Sequence, residues 1–476
     1  METAFFERMT VGDLLRAMAH DGLTAEELTV RCLNRIERLN PLLHAVISVN
    51  PYAPEEARRI DRLRASGFPL GPLAGIPVLV KDNIDTLDLP TTAGSEALRH
   101  VLPHRDAELV ARLRRSGAII LGKTNLTEWA AYRSNDVPNG WSPVGGQTRN
   151  PYVLDRSPYG SSSGSAVAAA AGLAPVTIGT ETFGSIVSPS GMNSVVGFKP
   201  SMGRVSRDGI VPISPFQDTA GPITRNVADA AAVFQVIATP RRAIRLETAL
   251  LAGTRIGVWR GVRNSGAKHS DVNRVLAEAT AMLHELGATT VEVDLTVPDT
   301  SEVLSYEFKV SINDYLGTVG GDGPHDLGDL IAFRSHPDER TPDLGLAKFE
   351  QAQDSDMARR PSDYLEERVQ ITEEIHGSIG RVFGRHRLDA IMSPTNGRAP
   401  EVSERDFAWL HSCSPAAVGG YPSIAVPAGY ADSQLPLGVS FTGRRNRDEE
   451  LLGLAYSFEQ ATQARKRPLY LPTLPA

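Results

Sequence analysis

The segment Gly179–Ile186 reads Gly-Thr-Glu-Thr-Phe-Gly-Ser-Ile and forms a polar, tight turn around Ser185. It follows a predicted strand, Val176–Gly179, and its small residues permit a compact backbone in which several N–H groups converge. Such a nest of amides can hold an oxyanion. A serine hydroxyl in that position is a candidate nucleophile, provided that a neighbouring base takes its proton.

Lys81 is a candidate for that base. It directly follows the apolar run Ile76–Val80. Lysine usually reaches the protein surface with its charged end, but a lysine at the end of a buried strand can lose its charge by desolvation and act as a base. The position of Lys81 therefore favours a chemical role over an ordinary surface role.

The segment Gly117–Thr124 matches the phosphate-binding pattern G-x-x-x-x-G-K-[ST]. That motif needs a flexible loop between a strand and a helix. Here a helix is predicted before it, and the residues that would form the loop are the apolar run Ala118–Leu121, which favours a buried strand. We therefore do not expect an ATP or GTP site.

The segment Gly160–Gly164 matches the G-x-S-x-G nucleophile elbow, with Ser162 at its centre. An elbow requires a strand leading into it, but the preceding Arg149–Pro158 has the composition of a loop. An α/β-hydrolase that uses a histidine base is thus a weaker alternative. A flexible Gly/Ser linker fits poorly as well, because a helix is predicted from Ala166 to Leu173.

The elements that position these residues alternate between helices and strands. Thr10 is predicted to cap a first helix, and Thr24 with Glu27 to cap a second that ends near Leu39, before Asn40-Pro41. The later pattern predicts a helix starting at Asp106, a helix capped by Ser270 and a helix from about Asp448, with buried strands at 75–80, 118–121, 255–259, 291–293, 388–392, 423–426 and 437–441. This alternation predicts an α/β fold, a mixed central sheet surrounded by helices.

Residues 301–387 differ from the rest because they are helical and charged. Breaks are expected at Gly317–Gly323 and at Pro337–Arg340. We expect a helical excursion beside the sheet. It is either a wall or lid of a site or a plain structural layer, and the sequence leaves both interpretations open.

Composition excludes several classes of function. The chain has 476 residues, a net charge of −7, two cysteines (Cys32 and Cys413) and no H-E-x-x-H motif among its 11 histidines. Neither a nucleic-acid nor a membrane partner is expected from this charge, and no metal or cofactor is expected. A reduced cysteine pair and a start without a signal-peptide pattern favour a cytoplasmic protein.

Taken together, the motifs resemble the amidase signature family. The family pattern of a Gly/Ser loop, then G-T-[DE]-x-x-G-S-I, then G-[FL]-K-P is met by residues 160–200, and the segments 75–83 and 122–125 also match. The similarity extends over about residues 10–465. It implies a single domain, 1–476, with N-terminal helices (1–70), a catalytic core (71–240), the excursion (301–387) and a C-terminal return to the sheet (388–476).

The resemblance also implies a mechanism, in which an amide C–N bond is cleaved through an acyl-enzyme without a cofactor. It makes Ser185 the nucleophile, Ser161 the bridging serine and Lys81 the base, and it implies a strained or cis peptide bond at or near Gly160–Ser161. The oxyanion hole would consist of the amides of the turn, which are those of Thr182, Phe183, Gly184 and Ser185.

Two departures from the family pattern bear on the substrate. Val187 stands where arginine is common, and Phe183-Gly184 stands where Gly-Gly is common. Both make the site more apolar, so we expect Phe183 to contact the substrate and neutral, bulky amides to be preferred over small acids. The segments 140–151 and 206–209 are similar to the bacterial peptide amidase branch, which implies peptide-like or aryl amide substrates, or related carbamates.

Two other functions remain open beside the free-standing amidase. One is a subunit of a glutamine-dependent amidotransferase, which has a similar sequence but works within a complex; the other is a catalytically inactive binding protein. Val187 and the peptide amidase-like segments favour the free enzyme, and the presence of Lys81, Ser161 and Ser185 disfavours the inactive one. The sequence leaves the oligomeric state open.

Overall fold

An 11-stranded mixed sheet forms the centre of the computed structural model of this chain. The structure describes residues 9–239, 242–261, 269–319, 323–333, 344–355, 361–402 and 412–474. Helices surround the sheet, and a large buried apolar core runs along it. The predicted α/β architecture is confirmed.

The strands come from nearly the whole length of the chain. They are β1 (Val46–Val49), β2 (Pro77–Lys81), β3 (Ile119–Thr124), β4 (Trp141–Ser142), β5 (Gly146–Gln147), β6 (Val176–Glu181), β7 (Val196–Lys199), β8 (Thr219–Thr224), β9 (Arg255–Val258), β10 (Thr289–Glu292), β11 (Ala390–Pro394), β12 (Ser423–Ala431) and β13 (Leu435–Gly443). Strands β4 and β5 form a separate pair, and the order in the main sheet is β1-β3-β2-β6-β8-β7-β12-β13-β11-β9-β10.

The α-helices connect these strands and cover the sheet. They are α1 (Val11–His20), α2 (Ala25–Leu43), α3 (Ala53–Ala65), α4 (Glu108–Arg115), α5 (Ser163–Ala170), α6 (Val187–Met192), α7 (Val227–Ile237), α8 (Ser270–Glu285), α9 (Ser301–Val319), α10 (Leu327–Ala332), α11 (Ala347–Gln353), α12 (Pro361–His386), α13 (Ser414–Gly419) and α14 (Asp448–Thr462). Within the described ranges, no helix has the length and apolar character needed to cross a membrane.

The site is positioned by two neighbouring parallel strands, β2 and β6. Their register pairs Val78 with Val176 and Val80 with Ile178. Because parallel strands end at the same edge of a sheet, the segments that follow Lys81 and Glu181 emerge side by side. This edge brings together two motifs that are about 100 residues apart in the sequence.

Several predicted helix boundaries were wrong. Helix α2 does not stop before Pro41 but continues to Leu43, and it ends at His44, which has a left-handed backbone. The Asn40 side chain accepts hydrogen bonds from the Ala45 and Val46 amides. The helix therefore ends later than Pro41 predicts. The Asn40 side chain bonds to the residues that follow the helix and does not terminate the helix itself.

Two predicted N-caps were also displaced. The residue before α4 is Ala107, because the Asp106 carboxylate is used elsewhere, in a hydrogen bond from the Leu87 amide and an ion pair with Arg114. The residue before α8 is His269 rather than Ser270. The cap predicted at Thr10 is confirmed, since its hydroxyl and Asp13 bond reciprocally to the backbone; the Thr24 hydroxyl accepts from the Glu27 amide as expected.

The predicted helical excursion consists of α9, α10, α11 and α12. Helix α9 runs through Gly317 to Val319, so the break predicted to start at Gly317 does not start there. The loop predicted at Pro337–Arg340 lies outside the described residues. Two apolar clusters join the excursion to the rest of the protein, and Phe183, in the turn that precedes α6, packs against one of them.

Candidate active site

Lys81 lies at the carboxyl end of β2 with its side chain fully buried. Its Nζ donates hydrogen bonds to Ser161 Oγ at 2.8 Å and to Thr180 Oγ1 at 2.9 Å. Burial lowers the pKa of Lys81 to about 7, partly opposed by the nearby carboxylates of Glu181 and Asp218. The amine can therefore be neutral near neutral pH, and it is in hydrogen-bond contact with a serine.

Ser161 is almost completely buried in the loop before α5. The Gly160–Ser161 peptide bond is cis, as expected. A side chain at Gly160 would place its Cβ 2.3 Å from Thr127 Oγ1, so only glycine fits there. The Thr127 amide donates to the Ser161 carbonyl at 3.1 Å, which holds the loop against the segment that follows β3.

Ser185 lies in the turn between β6 and α6 and is partly exposed, unlike Ser161. The Ser162 amide donates to the Ser185 carbonyl at 3.2 Å, so the two serine loops are joined directly. Gly184 has φ of +82°, a conformation that glycine adopts without strain. In the described part of the chain, neither the Gly184 nor the Ser185 amide donates to a protein acceptor, which leaves both available to a ligand.

Ser162 does not have the geometry of a nucleophile elbow. It is fully buried, and its Oγ donates to the Thr180 carbonyl at 2.9 Å and accepts from the Thr180 amide at 3.2 Å. The backbone that leads into it forms no strand. The Ser162 hydroxyl thus joins its loop to β6.

Glu181 is a site residue that the sequence motifs did not lead us to predict. Its Oε2 accepts hydrogen bonds from the amides of Ile186 and Val187, at 2.7 and 3.0 Å. The carboxylate thereby fixes the backbone on the far side of Ser185. Glu181 is the acidic residue of the Gly-Thr-Glu motif, and that position could have identified it from the sequence.

Asp218 and Asn83 also support the site without having been predicted. Asp218 accepts from the Thr182 hydroxyl at 2.6 Å and from the amides of Ile213 and Ser214, and burial raises its pKa. Asn83 donates to Thr180 Oγ1 at 3.0 Å. Asn83 follows Lys81 by two residues and was visible in the motif, whereas nothing near Asp218 in the sequence marked it.

Phe183 is partly buried and lies between two apolar groups. On one side it packs against Val187 of α6 and Cys413. On the other side it packs against the cluster that contains Tyr364 and Ile371 of α12. The structure therefore places Phe183 between the turn and the helical excursion, with apolar neighbours on both sides.

The nucleotide motif has a structural explanation. Residues 119–124 form strand β3, and Lys123 is fully buried. Its Nζ lies 3.2 Å from Asp82 and donates to Thr91 Oγ1 at 2.9 Å. The Lys123 amine is thus bonded to groups of the protein, and it lies on a strand rather than in a phosphate-binding loop. Among the described residues, no group of three or more His, Cys, Asp or Glu side chains is arranged to hold a metal ion.

Comparison with known proteins agrees with this geometry. The model of the Amidase family matches residues 27–452, and a probable amidase of Arabidopsis thaliana is 38% identical over 98% of this chain and 93% of its own length. The chain therefore belongs to the amidase family. It is an enzyme that hydrolyses amides.

Two further proteins are similar to this chain over most of its length. The crystal structure of peptide amidase from Stenotrophomonas maltophilia superposes with a TM-score of 0.91 at 42% identity, covering 98% of this chain and 99% of that one. A glutamyl-tRNA(Gln) amidotransferase subunit of Symbiobacterium thermophilum is 34% identical over 93% of this chain and 94% of its own length. The similarity to a peptide amidase predicted from the sequence is confirmed.

Proposed function

We propose that this enzyme hydrolyses neutral carboxamides, with Ser185 as nucleophile, Ser161 as proton relay and Lys81 as base. The observation that carries the proposal is the buried Lys81 amine, 2.8 Å from Ser161 Oγ and with a pKa of about 7. A neutral amine can accept a proton through the Ser161 hydroxyl, and the Ser161 loop is bonded to Ser185.

In the first half-reaction, Ser185 Oγ attacks the amide carbon while its proton passes to Ser161 and the Ser161 proton passes to Lys81. The tetrahedral intermediate collapses when the protonated lysine returns a proton, through Ser161, to the leaving nitrogen. Ammonia or an amine departs, and an ester remains on Ser185. Water then attacks this acyl-enzyme and gives a proton, through Ser161, to Lys81. The protonated lysine returns a proton, through Ser161, to Ser185 Oγ as the ester bond breaks, and the acid is released.

The negative charge of each tetrahedral intermediate needs donors placed in advance. Four amides, those of Thr182, Phe183, Gly184 and Ser185, form the proposed oxyanion hole. The amides of Gly184 and Ser185 have no protein acceptor among the described residues, which supports the assignment. Glu181 supports it from the other side, because it engages the next two amides, so the turn cannot reorient easily.

The proposed substrates are peptide amides, aryl amides or related carbamates with an apolar acyl part. Phe183, partly exposed, packs against the buried Val187 near the nucleophile, and the peptide amidase named above is similar over nearly the whole chain. Cys32 and Cys413 both lie in the described residues and form no disulfide, which is typical of reducing compartments, and we place the enzyme in the cytoplasm on that basis.

A second candidate function is that of an amidotransferase subunit, since such a protein is also similar over most of the chain. The two functions differ in a simple test, the activity of the purified chain without any partner. Hydrolysis of a peptide amide by the chain alone favours the free-standing enzyme, whereas activity that requires an added complex favours the subunit.

The nucleophile is tested by comparing two serines that lie in adjacent loops. Ser185→Ala should abolish hydrolysis and covalent labelling by a fluorophosphonate probe, because no other hydroxyl is proposed to attack. Ser162→Ala is the matched control and should still be labelled, since the Ser162 hydroxyl only bonds to the backbone of Thr180. Loss of labelling in Ser162→Ala but not in Ser185→Ala would show that the elbow serine is the nucleophile.

A further inference from the structure

Arg368 is an arginine buried within the helical excursion. It lies on α12 and is 7% exposed. Tyr364 lies one turn before it and Ile371 one turn after it, and both of these side chains are buried in the cluster against which Phe183 packs. Since residues three and four apart share a helix face, Arg368 is on the face of α12 that is directed towards Phe183.

The described part of the protein leaves some N–H donors of the Arg368 guanidinium without an acceptor. Nε and Nη1 are buried and have no acceptor in the described ranges. The carboxylate of Glu307 is 3.8 Å from Nε, beyond hydrogen-bond distance, and the Phe216 ring lies 4.5 Å from Cζ. Buried donors of this kind are nearly always satisfied, so a ligand oxygen placed against these N–H groups would supply the acceptor that they lack.

A continuous set of contacts connects this guanidinium to the catalytic turn. Glu307 of α9 accepts from the Ser214 hydroxyl and from Tyr364 Oη, the latter at 3.0 Å. The Ser214 amide donates to Asp218, and Asp218 accepts from Thr182 in the turn itself. Arg368 is therefore placed beside the loop 214–218, on a helix whose Tyr364 and Ile371 belong to the apolar cluster against which Phe183 packs.

The charge of the neighbours defines which acceptor suits this position. The carboxylate of Glu307 offsets the positive charge of Arg368, and the carboxylate of Asp218 is near that of Glu307. A carboxylate ligand would meet two acidic groups as well as the arginine, whereas a neutral carbonyl oxygen would accept from the free N–H groups without repulsion. The site therefore favours an amide carbonyl over a carboxylate.

We propose that Arg368 is a substrate-binding, specificity-determining residue that donates hydrogen bonds to a second carbonyl oxygen in the acyl part of a peptide-like substrate. This inference rests on the proposed amide hydrolysis at Ser185. It explains how one pocket can accept an apolar side chain against Phe183 and still distinguish a peptidyl amide from a simple carboxamide of the same size.

The experiment compares two amides that differ in the acetamido group that bears that carbonyl, N-acetylphenylalaninamide and 3-phenylpropanamide. Arg368→Met should lower kcat/KM for the first by about 10- to 100-fold, the effect of losing a hydrogen bond from a charged donor. It should change the second by less than about threefold. Arg368→Lys, which keeps the charge but not the forked geometry, should fall between wild type and Arg368→Met for the first substrate only.

Arg381→Met on the exposed side of α12 is the matched control and should leave both substrates unchanged. An equal loss for both substrates in Arg368→Met and Arg368→Lys, with a lowered melting temperature, would show a structural brace and overturn the inference. Unchanged kinetics for both substrates would overturn it too. A wild-type enzyme that hydrolyses neither amide would instead refute the proposed function, and the inference with it.

Discussion

Among single residues, Lys81 shows how burial changes the pKa of a side chain. A lysine in water has a pKa near about 10.4 and is charged at neutral pH. In this protein the amine is surrounded by the ends of β2 and β6, and its pKa is lowered to about 7 by desolvation. Its contacts with Ser161 and Thr180 are hydrogen bonds to neutral oxygens, and the carboxylates of Glu181 and Asp218 oppose the shift only in part.

The first prediction at this scale concerns the pH dependence of catalysis. Since the neutral amine is the proposed base, kcat/KM should rise as the pH increases through about 7, the pKa of Lys81. Lys81→Met should remove most activity at every pH. Because a histidine base would titrate in a similar range, each histidine should also be replaced by alanine. A single histidine whose loss equals that of Ser185, with Lys81→Met near wild type, would contradict the proposed base.

The same pKa shift predicts an effect on stability. Between about pH 7 and pH 10 the unfolded chain carries the Lys81 proton and the folded chain does not. The free energy of unfolding of the wild type should therefore rise with pH across this window, relative to that of Lys81→Met, and the difference should be constant below it. Denaturant titrations of both proteins at about pH 7 to 10 measure this, and parallel curves would show an unshifted lysine.

Gly184 is the residue for which backbone conformation matters most in the turn. Its φ is +82°, and an added Cβ would lie 2.8 Å from Cys413 Sγ and 3.0 Å from Ser188 Oγ. Gly184→Ala should lower kcat/KM by more than about tenfold, because a left-handed alanine alone costs about 1 kcal/mol or more. Adding Cys413→Ala should recover only the steric part of the loss. Activity near wild type in the single variant would show that the turn tolerates another conformation.

At the scale of secondary-structure elements, the helical excursion forms the outer side of the region around Phe183. Helix α12 contributes Tyr364 and Ile371 to the apolar cluster, and α9 contributes Glu307 to the contacts that lead back to Asp218. Of the two interpretations left open by the sequence, these contacts favour a wall of the site.

The apolar contacts of Phe183 with the excursion lead to a prediction about substrate specificity. Phe183→Ala should lower kcat/KM for amides with a bulky apolar acyl part by about tenfold or more, since burying such a side chain contributes about 1.5–3 kcal/mol. Small amides such as acetamide should be affected much less. Phe333→Ala, at an exposed phenylalanine of the excursion, is the matched control. A wild-type profile led by small dicarboxylic amides would contradict the apolar pocket.

At the scale of the whole molecule, the sheet joins segments from both ends of the chain. Strand β7, which carries the Gly-Phe-Lys-Pro motif, pairs with β12 from the C-terminal part. Just after β7, the Ser201 amide and hydroxyl both donate to Asp448 at the start of α14. We propose on this basis that the chain folds as one domain, in which the catalytic core requires the C-terminal return.

A buried ion cluster makes this proposal testable. Arg204, 1% exposed, pairs with Asp448 at 3.1 Å and with Glu449 at 2.6 Å. Arg204→Met should lower the free energy of unfolding by about 3–5 kcal/mol, because it leaves the buried carboxylates of Asp448 and Glu449 without their cation. Arg242→Met removes an exposed pair with Glu450 and should change stability by less than about 1 kcal/mol. Denaturant titration measures both, and equal small changes would show that the cluster is not needed.

Much of the local structure was determined by the sequence itself. Thr10 and Thr24 cap helices because their hydroxyls need only neighbouring amides. The apolar run before Lys81 predicted a buried strand, and the closely spaced motifs between Gly160 and Pro200 predicted the two serine loops. Such features depend on residues within a few positions of each other, where side-chain chemistry and spacing suffice.

Only the tertiary structure decided the contacts between distant segments. Asp218 contacts Thr182 of the turn around Ser185, and Glu307 lies further away, bonded to Ser214 and near Arg368; all three come from loops and helices that carry no motif. The lowered pKa of Lys81 likewise depends on how completely β2 and β6 exclude water from the amine. The sequence of a single strand does not determine that exclusion. The physical reason is that burial and long-range hydrogen bonds are properties of packed surfaces, and those surfaces exist only after strands about 100 residues apart have paired.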